Sequence, residues 1–288
     1  MPGGNIMFDL LQQDFVQNAF LAGTIVAIVT AVVGYFVILR AQAFASDALT
    51  DMGFAGATAA AILGISSFLG MLLMTLLSAL GLGALGERVR GRDVETGMVL
   101  SFGLGLGVLF LSLYAQRSNA DARTGTGMLF GSLLSISSDD VWIVLGCGIV
   151  VLLLLALIFR PLLFASIDPV VARTRGVPVR LLSVVFLVLV GITAAEAVLV
   201  VGVLLVTALL IAPAATAQQL ARRPFTAMLL SVLFSLFFTW GGLLLAFLDS
   251  QLPVSFSITA LATAWYLLAL LVSRRGSPRR FARGQEQH

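Results

Sequence analysis

The sequence predicts an all-α integral membrane protein that crosses the bilayer about eight or nine times. Three observations predict it. The 288 residues are 59% hydrophobic and only 11% charged, whereas a soluble domain carries about 25% charged residues. Mean hydropathy is +1.06. Apolar runs near the length of about 20 residues that a spanning helix needs recur along the chain. With so little charge the chain cannot cover a water-facing surface, so lipid must solvate much of it.

The candidate spans lie at about 18–39, 43–64, 66–86, 94–115, 140–160, 179–195, 198–219, 225–248 and 254–273. The first follows Met1 to Asn18, which has no basic residue and contains Asp9 and Asp14. A secretory signal opens with a basic stretch, so this apolar segment reads as a retained span. The sixth and seventh spans run together, so one of them is short or broken. Thr124–Ser137 is moderately apolar and reads as a re-entrant or interfacial piece. Residues 1–17 form an N-terminal segment, 18–273 the membrane domain and 274–288 a basic tail. No internal repeat or linker marks off a soluble domain. Glycines such as Gly103, Gly105 and Gly107 read as helix-packing residues. They have no strand–turn–helix context that would make them a nucleotide loop.

Arginines set the orientation. They cluster in Glu87–Asp93, in Arg160–Arg180, at Arg222 and Arg223, and in the tail from Arg274. Counting alternate loops puts these four regions on one face, which should be cytoplasmic. Arg117 and Arg123 are exceptions on the other side. The net charge of +3 is therefore a topology signal and gives no reason to expect nucleic acid. The tail reads as an anchor near anionic lipid. Cys147 is a lone thiol in an apolar run and reads as a small buried hydrophobe. His288, the only histidine, belongs to the tail.

Charges inside spans are costly and usually face a cavity or a partner. Three carboxylates qualify: Asp47, Asp51 and Glu196. Asp47 and Asp51 share one helical face, one turn apart. Two such carboxylates repel unless a proton, a basic partner or a cation offsets them. Ser46 and Thr50 extend the oxygen-rich patch, which suits a hard divalent ion. A structural alternative stays open: Asp47 as a helix N-cap, or both acids paired with Arg40. Glu196 marks either a short outer turn or a polar position on a pathway. Pro213 marks either a kink beside a gate or the end of a helix.

The segment Val37-Ile-Leu-Arg-Ala-Gln-Ala-Phe-Ala-Ser-Asp-Ala-Leu-Thr-Asp-Met-Gly-Phe-Ala-Gly56 resembles the signature of the zinc/manganese ABC permease family. Four further segments match that family in order: Glu95–Gly105, Leu129–Ser137, Asp168–Arg180 and Val201–Ala217. The resemblance covers about residues 18–273 and implies a type II-like ABC importer permease. Such a permease forms a homodimer and docks cytoplasmic ATPase subunits. It receives its metal from an extracytoplasmic binding protein and sits in a prokaryotic plasma membrane. It binds no cofactor; its cargo would be manganese or zinc, with iron as a further option. Consistently, no phosphate-binding G-x-x-x-x-G-K-[ST] loop occurs in the chain. The resemblance makes Asp47 a pathway ligand. It puts Asp51 where the family has a histidine, which hardens the site and favours either manganese over zinc or a different or weakened selectivity. It makes Asp168, Arg173, Arg175 and Gly176 the candidates for coupling to the ATPase; a purely topological role for the two arginines is the alternative.

Two rival classes compete with this reading. A proton-coupled secondary transporter would use Asp47, Asp51 or Glu196 as a relay, but no inverted repeat of the kind such folds often carry is visible. An intramembrane protease would need a Ser–His pair or two acids on facing helices. The sequence offers neither, so the chain is expected not to be an enzyme.

Overall fold

The computed structural model describes residues 14–85, 92–116, 127, 131, 136–221, 223–248 and 253–275. Among the described residues ten helices follow one another: α1 Asp14–Leu39, α2 Ala43–Leu63, α3 Ser67–Leu85, α4 Arg92–Ala115, α5 Ser138–Ile167, α6 Pro169–Thr174, α7 Val179–Val201, α8 Val203–Leu220, α9 Pro224–Leu248 and α10 Val254–Arg275. No strand occurs among the described residues. Residues 1–13 and 86–91, Arg117, Arg123, Arg222, most of Thr124–Ser137 and of Asp249–Pro253, and the tail beyond Arg275 lie outside the described residues.

Eight of these helices are long and apolar enough to cross a membrane. The remaining long helix, α2, has 21 residues but is diluted by Ser46, Asp47, Thr50 and Asp51. Its surroundings explain why it tolerates them. It packs against α3, α4, α7 and α8, and most of its length is buried. A helix enclosed by protein does not need a fully apolar surface. The opposite case is α5, whose Trp142, Leu153 and Leu157 are exposed apolar side chains suited to lipid.

Small residues set the packing. A Cβ on Gly34 would lie 2.0 Å from the Leu210 carbonyl oxygen, so α1 and α8 are in backbone contact there. Gly56 and Gly70 face each other across α2 and α3: a Cβ on either would meet the other's carbonyl oxygen at 2.1 or 2.3 Å. Gly242 on α9 approaches the Ile258 backbone of α10 in the same way.

Two elements differ from the sequence expectation. The fifth span was expected to stop near residue 160 but continues through Pro161 to Ile167. The basic connection therefore shrinks to residues 168–178, and Arg160 is helical. At its other end α5 is fixed by a capping box, in which Ser137 and Asp140 satisfy each other's backbone N–H. The fused sixth and seventh spans do break, but at Gly202 (φ 78°, ψ 162°), a backbone conformation open essentially to glycine alone.

Hydrogen bonds between helix ends sort the molecule into two ends. Asn18 near the start of α1 donates to Ser138 at the start of α5. At the opposite end, Arg40 after α1 reaches Ser166 near the end of α5 and Ser183 near the start of α7. Arg180 donates to the Ala84 carbonyl near the end of α3, and Gln218 of α8 donates to the Tyr35 carbonyl of α1. The described arginines of the 168–180 region thus cluster at one end, as the alternate-loop count requires.

Gly56→Ala should lower the unfolding temperature of the detergent-solubilised protein, at a cost of about 1–3 kcal/mol for overpacking. Gly146→Ala, where nothing lies within 4 Å of the added methyl, should leave that temperature unchanged or raise it. Equal stability of the two variants would contradict the close α2–α3 approach.

Candidate ion pathway

The site begins at the α1–α2 turn. Ala41 adopts φ 52°, a left-handed conformation uncommon for a residue with a Cβ. Gln42 occupies the N-cap position without a side-chain cap bond. Helix α2 starts at Ala43, so Asp47 lies a full turn inside it. The N-cap reading of Asp47 is thereby excluded.

Asp47 is half-buried, and its Oδ1 accepts a 2.6 Å hydrogen bond from the Thr207 hydroxyl of α8. Asp51, one turn further, is 6% exposed. Ser46 and Thr50 are buried. Their hydroxyls donate to the Ala43 and Ser46 carbonyl oxygens at 2.7 and 2.9 Å. Those protons are committed to the helix backbone, and only oxygen lone pairs remain for anything else. The structure thus keeps the four oxygen-bearing residues on one helix and adds Thr207 from another.

Thr207 escaped the sequence reading. Its only signal was a hydroxyl in an apolar run five residues after Gly202. Two properties of the fold bring it to Asp47: the chain reversal at Gly202 and the backbone contact of α1 with α8 at Gly34.

Glu196 is 1% exposed and lies inside α7, five residues before its end. The outer-turn reading is therefore wrong; the chain turns at Gly202 instead. Helix α7 runs on because Ala194, Ala195, Ala197 and Val198 all pack into the core. The Glu196 carboxyl sits between α7, α1 and α5. A Cβ on Gly148 would lie 3.2 Å from its Oε1, and the same spot meets Ile25 and Val29 side chains. Among the described residues neither carboxyl oxygen has a hydrogen-bond partner, nor has the Thr193 hydroxyl one turn earlier. Pro213 lies inside α8, which continues to Leu220, so it does not end the helix.

The basic connection is built by Asp168. Its carboxylate caps α6, accepting from the N–H groups of Val170 and Val171 at 3.1 and 3.0 Å. Pro169 follows at the first helical position, where its missing donor costs nothing. Arg173 sits in the last turn of α6, Arg175 ends it, and Gly176 takes φ 79° to reverse the chain. Ala172 and Val179 pack with Ala165 and Leu182 beneath. Arg173 and Arg175 remain exposed, beside exposed Ile167, Val170 and Val171.

No group of three or more His, Cys, Asp or Glu residues gathers among the described residues. Any cation at Asp47 and Asp51 would therefore take its other ligands from hydroxyls, backbone or water.

An all-helical bundle with eight helices long and apolar enough to cross a membrane, a carboxylate pair on a largely enclosed helix and a basic, partly apolar loop at one end fits a membrane-embedded transport subunit. The chain belongs to the ABC 3 transport family, whose model matches residues 12–273. It is 30% identical to the manganese transport system membrane protein MntC of Halalkalibacterium halodurans, over 99% of this chain and 97% of that protein. It is 32% identical to the manganese import system permease protein ScaB of Streptococcus parasanguinis, over 92% and 93% of the two chains. The structure of PsaBC from Streptococcus pneumoniae in complex with Fab superposes with a TM-score of 0.80 at 29% identity, covering 92% of this chain and 94% of that one. A putative metal-chelate type ABC transporter in an inward-facing conformation shares the fold, with a TM-score of 0.70 at 16% identity. This chain is accordingly a permease component of an ABC transporter, and the proton-coupled alternative is not favoured.

A buried carboxyl without a partner costs stability. Glu196→Met should therefore raise the unfolding temperature of the solubilised protein, by the equivalent of about 1–3 kcal/mol. A lowered temperature would show that Glu196 has a stabilising partner.

Proposed function

We propose that this chain forms the translocation pathway of an importer for a divalent transition-metal ion, with manganese the first candidate and zinc the second. The observation that carries the reading is the Asp47–Asp51 pair on an enclosed helix, with Asp47 oriented by Thr207. Its chemistry is that of a hard, anionic oxygen site. Asp47 spends one lone pair on Thr207 and keeps the rest for a cation. Asp51 brings a second charge from the same face. The relatives whose names include manganese support the choice of cargo.

Glu196 is a secondary pathway candidate, one that opens only if α1 and α5 part from α7. The end carrying Arg40, Arg173, Arg175 and Arg180 faces the cytoplasm, because basic loops remain inside. The basic tail is proposed to be cytoplasmic as well, as its charge suggests. The 168–178 connection, with exposed valines beside exposed arginines, suits docking to a separate ATPase. A second permease copy and an extracytoplasmic metal-binding protein complete the assembly.

The test is manganese uptake into vesicles holding the assembled transporter. Asp47→Asn and Asp51→Asn should each cut uptake by at least about tenfold, as expected when a charged ligand is lost, while assembly is retained. Thr207→Val should cut it less, and Thr207→Ser should restore it. Undiminished uptake by both Asn variants would sink the pathway. Separately, Arg175→Glu should weaken ATPase retention during purification or leave hydrolysis uncoupled from uptake; intact coupled turnover would remove the loop from that role.

A further inference from the structure

One side chain links the two helices that flank the basic loop to the turn that precedes the carboxylate-bearing helix. Arg40 follows directly on α1, and its guanidinium crosses to two other helices. Its Nη1 lies 3.5 Å from the Ser166 hydroxyl and its Nη2 donates to the Ser183 hydroxyl. Ser166 precedes the 168–178 connection by two residues, and Ser183 follows it by five. The two serines therefore bracket that connection, one on α5 and one on α7. Ser166 spends its own proton on the Leu162 carbonyl at 2.6 Å, so it meets Arg40 as an acceptor. The guanidinium also lies over the Phe186 ring, 5.5 Å from its centre, and a planar cation suits such stacking.

On its other side Arg40 is bound to α2 by a stiff turn. The N–H groups of Arg40, Ala41 and Gln42 donate to Phe36, Ile38 and Val37 carbonyls at 2.9, 3.1 and 2.8 Å. Ala41 is held at φ 52°, and Gln42 is buried. Every N–H of the turn is committed, so it has little freedom to absorb a displacement. Asp47 follows seven residues after Arg40.

We propose that Arg40 is a positioning residue that transmits displacement of the 168–178 connection to α2, so that movement at the ATPase-facing end shifts the Asp47–Asp51 pair. The inference rests on the reading that this connection docks the ATPase. Ser166 and Ser183 move with the two ends of the connection. The guanidinium fork follows both, and the α1–α2 turn passes the movement on. A lysine offers a point charge and cannot span both hydroxyls while stacking on the ring.

The experiment uses the complete transporter in vesicles, with manganese as the probe. Manganese delivered per ATP hydrolysed and manganese binding by the solubilised permease are both measured. In Arg40→Gln, delivery per ATP should fall about tenfold, the factor that accompanies loss of one charged hydrogen bond, while binding stays within about twofold. Arg40→Lys should recover part of the coupling. The Ser166→Ala, Ser183→Ala double variant leaves the arginine in place and should shift the ratio in the same direction. It decides the matter if Arg40→Gln fails to assemble. Arg175→Glu separates the two readings. If that variant couples normally, the docking reading itself has failed. If it uncouples while the serine double variant keeps the native ratio, the Arg40 bridge alone is overturned. Parallel loss of manganese binding and delivery in the Arg40 and serine variants would also overturn it, because Arg40 would then merely hold the site together.

Discussion

Close backbone approach at glycine is the constraint on which this bundle depends. In hydrocarbon no hydrophobic drive pulls one apolar helix onto another, so association relies on packing at short range. Gly34 lets α1 touch the α8 backbone, Gly56 and Gly70 join α2 to α3, and Gly242 joins α9 to α10. The Gly56–Gly70 contact, with Gly103 and Gly107 of α4 against Met52 and Phe54, lets α2 be surrounded by protein along most of its length. Once it is surrounded, it can carry Asp47 and Asp51 without presenting them to lipid. The polarity of α2 is thus a consequence of its enclosure, and the enclosure is a consequence of small residues.

The same constraint places the partner of Asp47. Gly202 turns the chain sharply enough for α8 to return beside α1, and Gly34 fixes how near it comes. Thr207 then meets Asp47 across the seam between α2 and α8. Gly131, from the segment before α5, lies against Val201 and Gly202: a Cβ there would be 2.4 Å from the Val201 carbonyl carbon. That turn is consequently pinned from outside as well as by its own backbone. A hydroxyl held this way orients one carboxylate oxygen and leaves the other available.

Much of the fold was legible in the sequence because the bilayer imposes length and apolarity on each span, and both are local properties. That the sixth and seventh spans are interrupted was legible for the same reason, but the break lies at Gly202 and not near 195–198. What local reading could not supply was the environment. The Asp47 N-cap reading failed because the α1–α2 turn closes at Ala41 and Gln42, well before the position a capping role would need. The outer-turn reading of Glu196 failed because a buried carboxyl and an exposed one look alike in an alanine-rich stretch. The length of α5 was missed because the basic loop was counted from Arg160, although the helix passes through Pro161 to Ile167. Thr207 was invisible because its meaning depends on a residue 160 positions away. Asp47 and Asp51 stood out in the sequence because two acids at helical spacing inside an apolar segment carry a physical cost; their role as metal ligands is a proposal that rests on the family resemblance.

If Asp47 and Asp51 form the proposed pathway site, its small ligand set suits transport. A resident metal is usually held by three or four strong protein ligands, and no such group exists among the described residues. Two carboxylates and a few oxygen lone pairs bind less firmly. A pathway site must attract its ion and also let it leave, so incomplete coordination favours turnover over retention. Asp51, standing where the family signature has a histidine, pushes the balance further. A second anionic oxygen raises attraction for any divalent cation but discriminates less among transition metals than imidazole does. In the proposed pathway, selectivity would then rest more on which ion reaches the site than on the site itself.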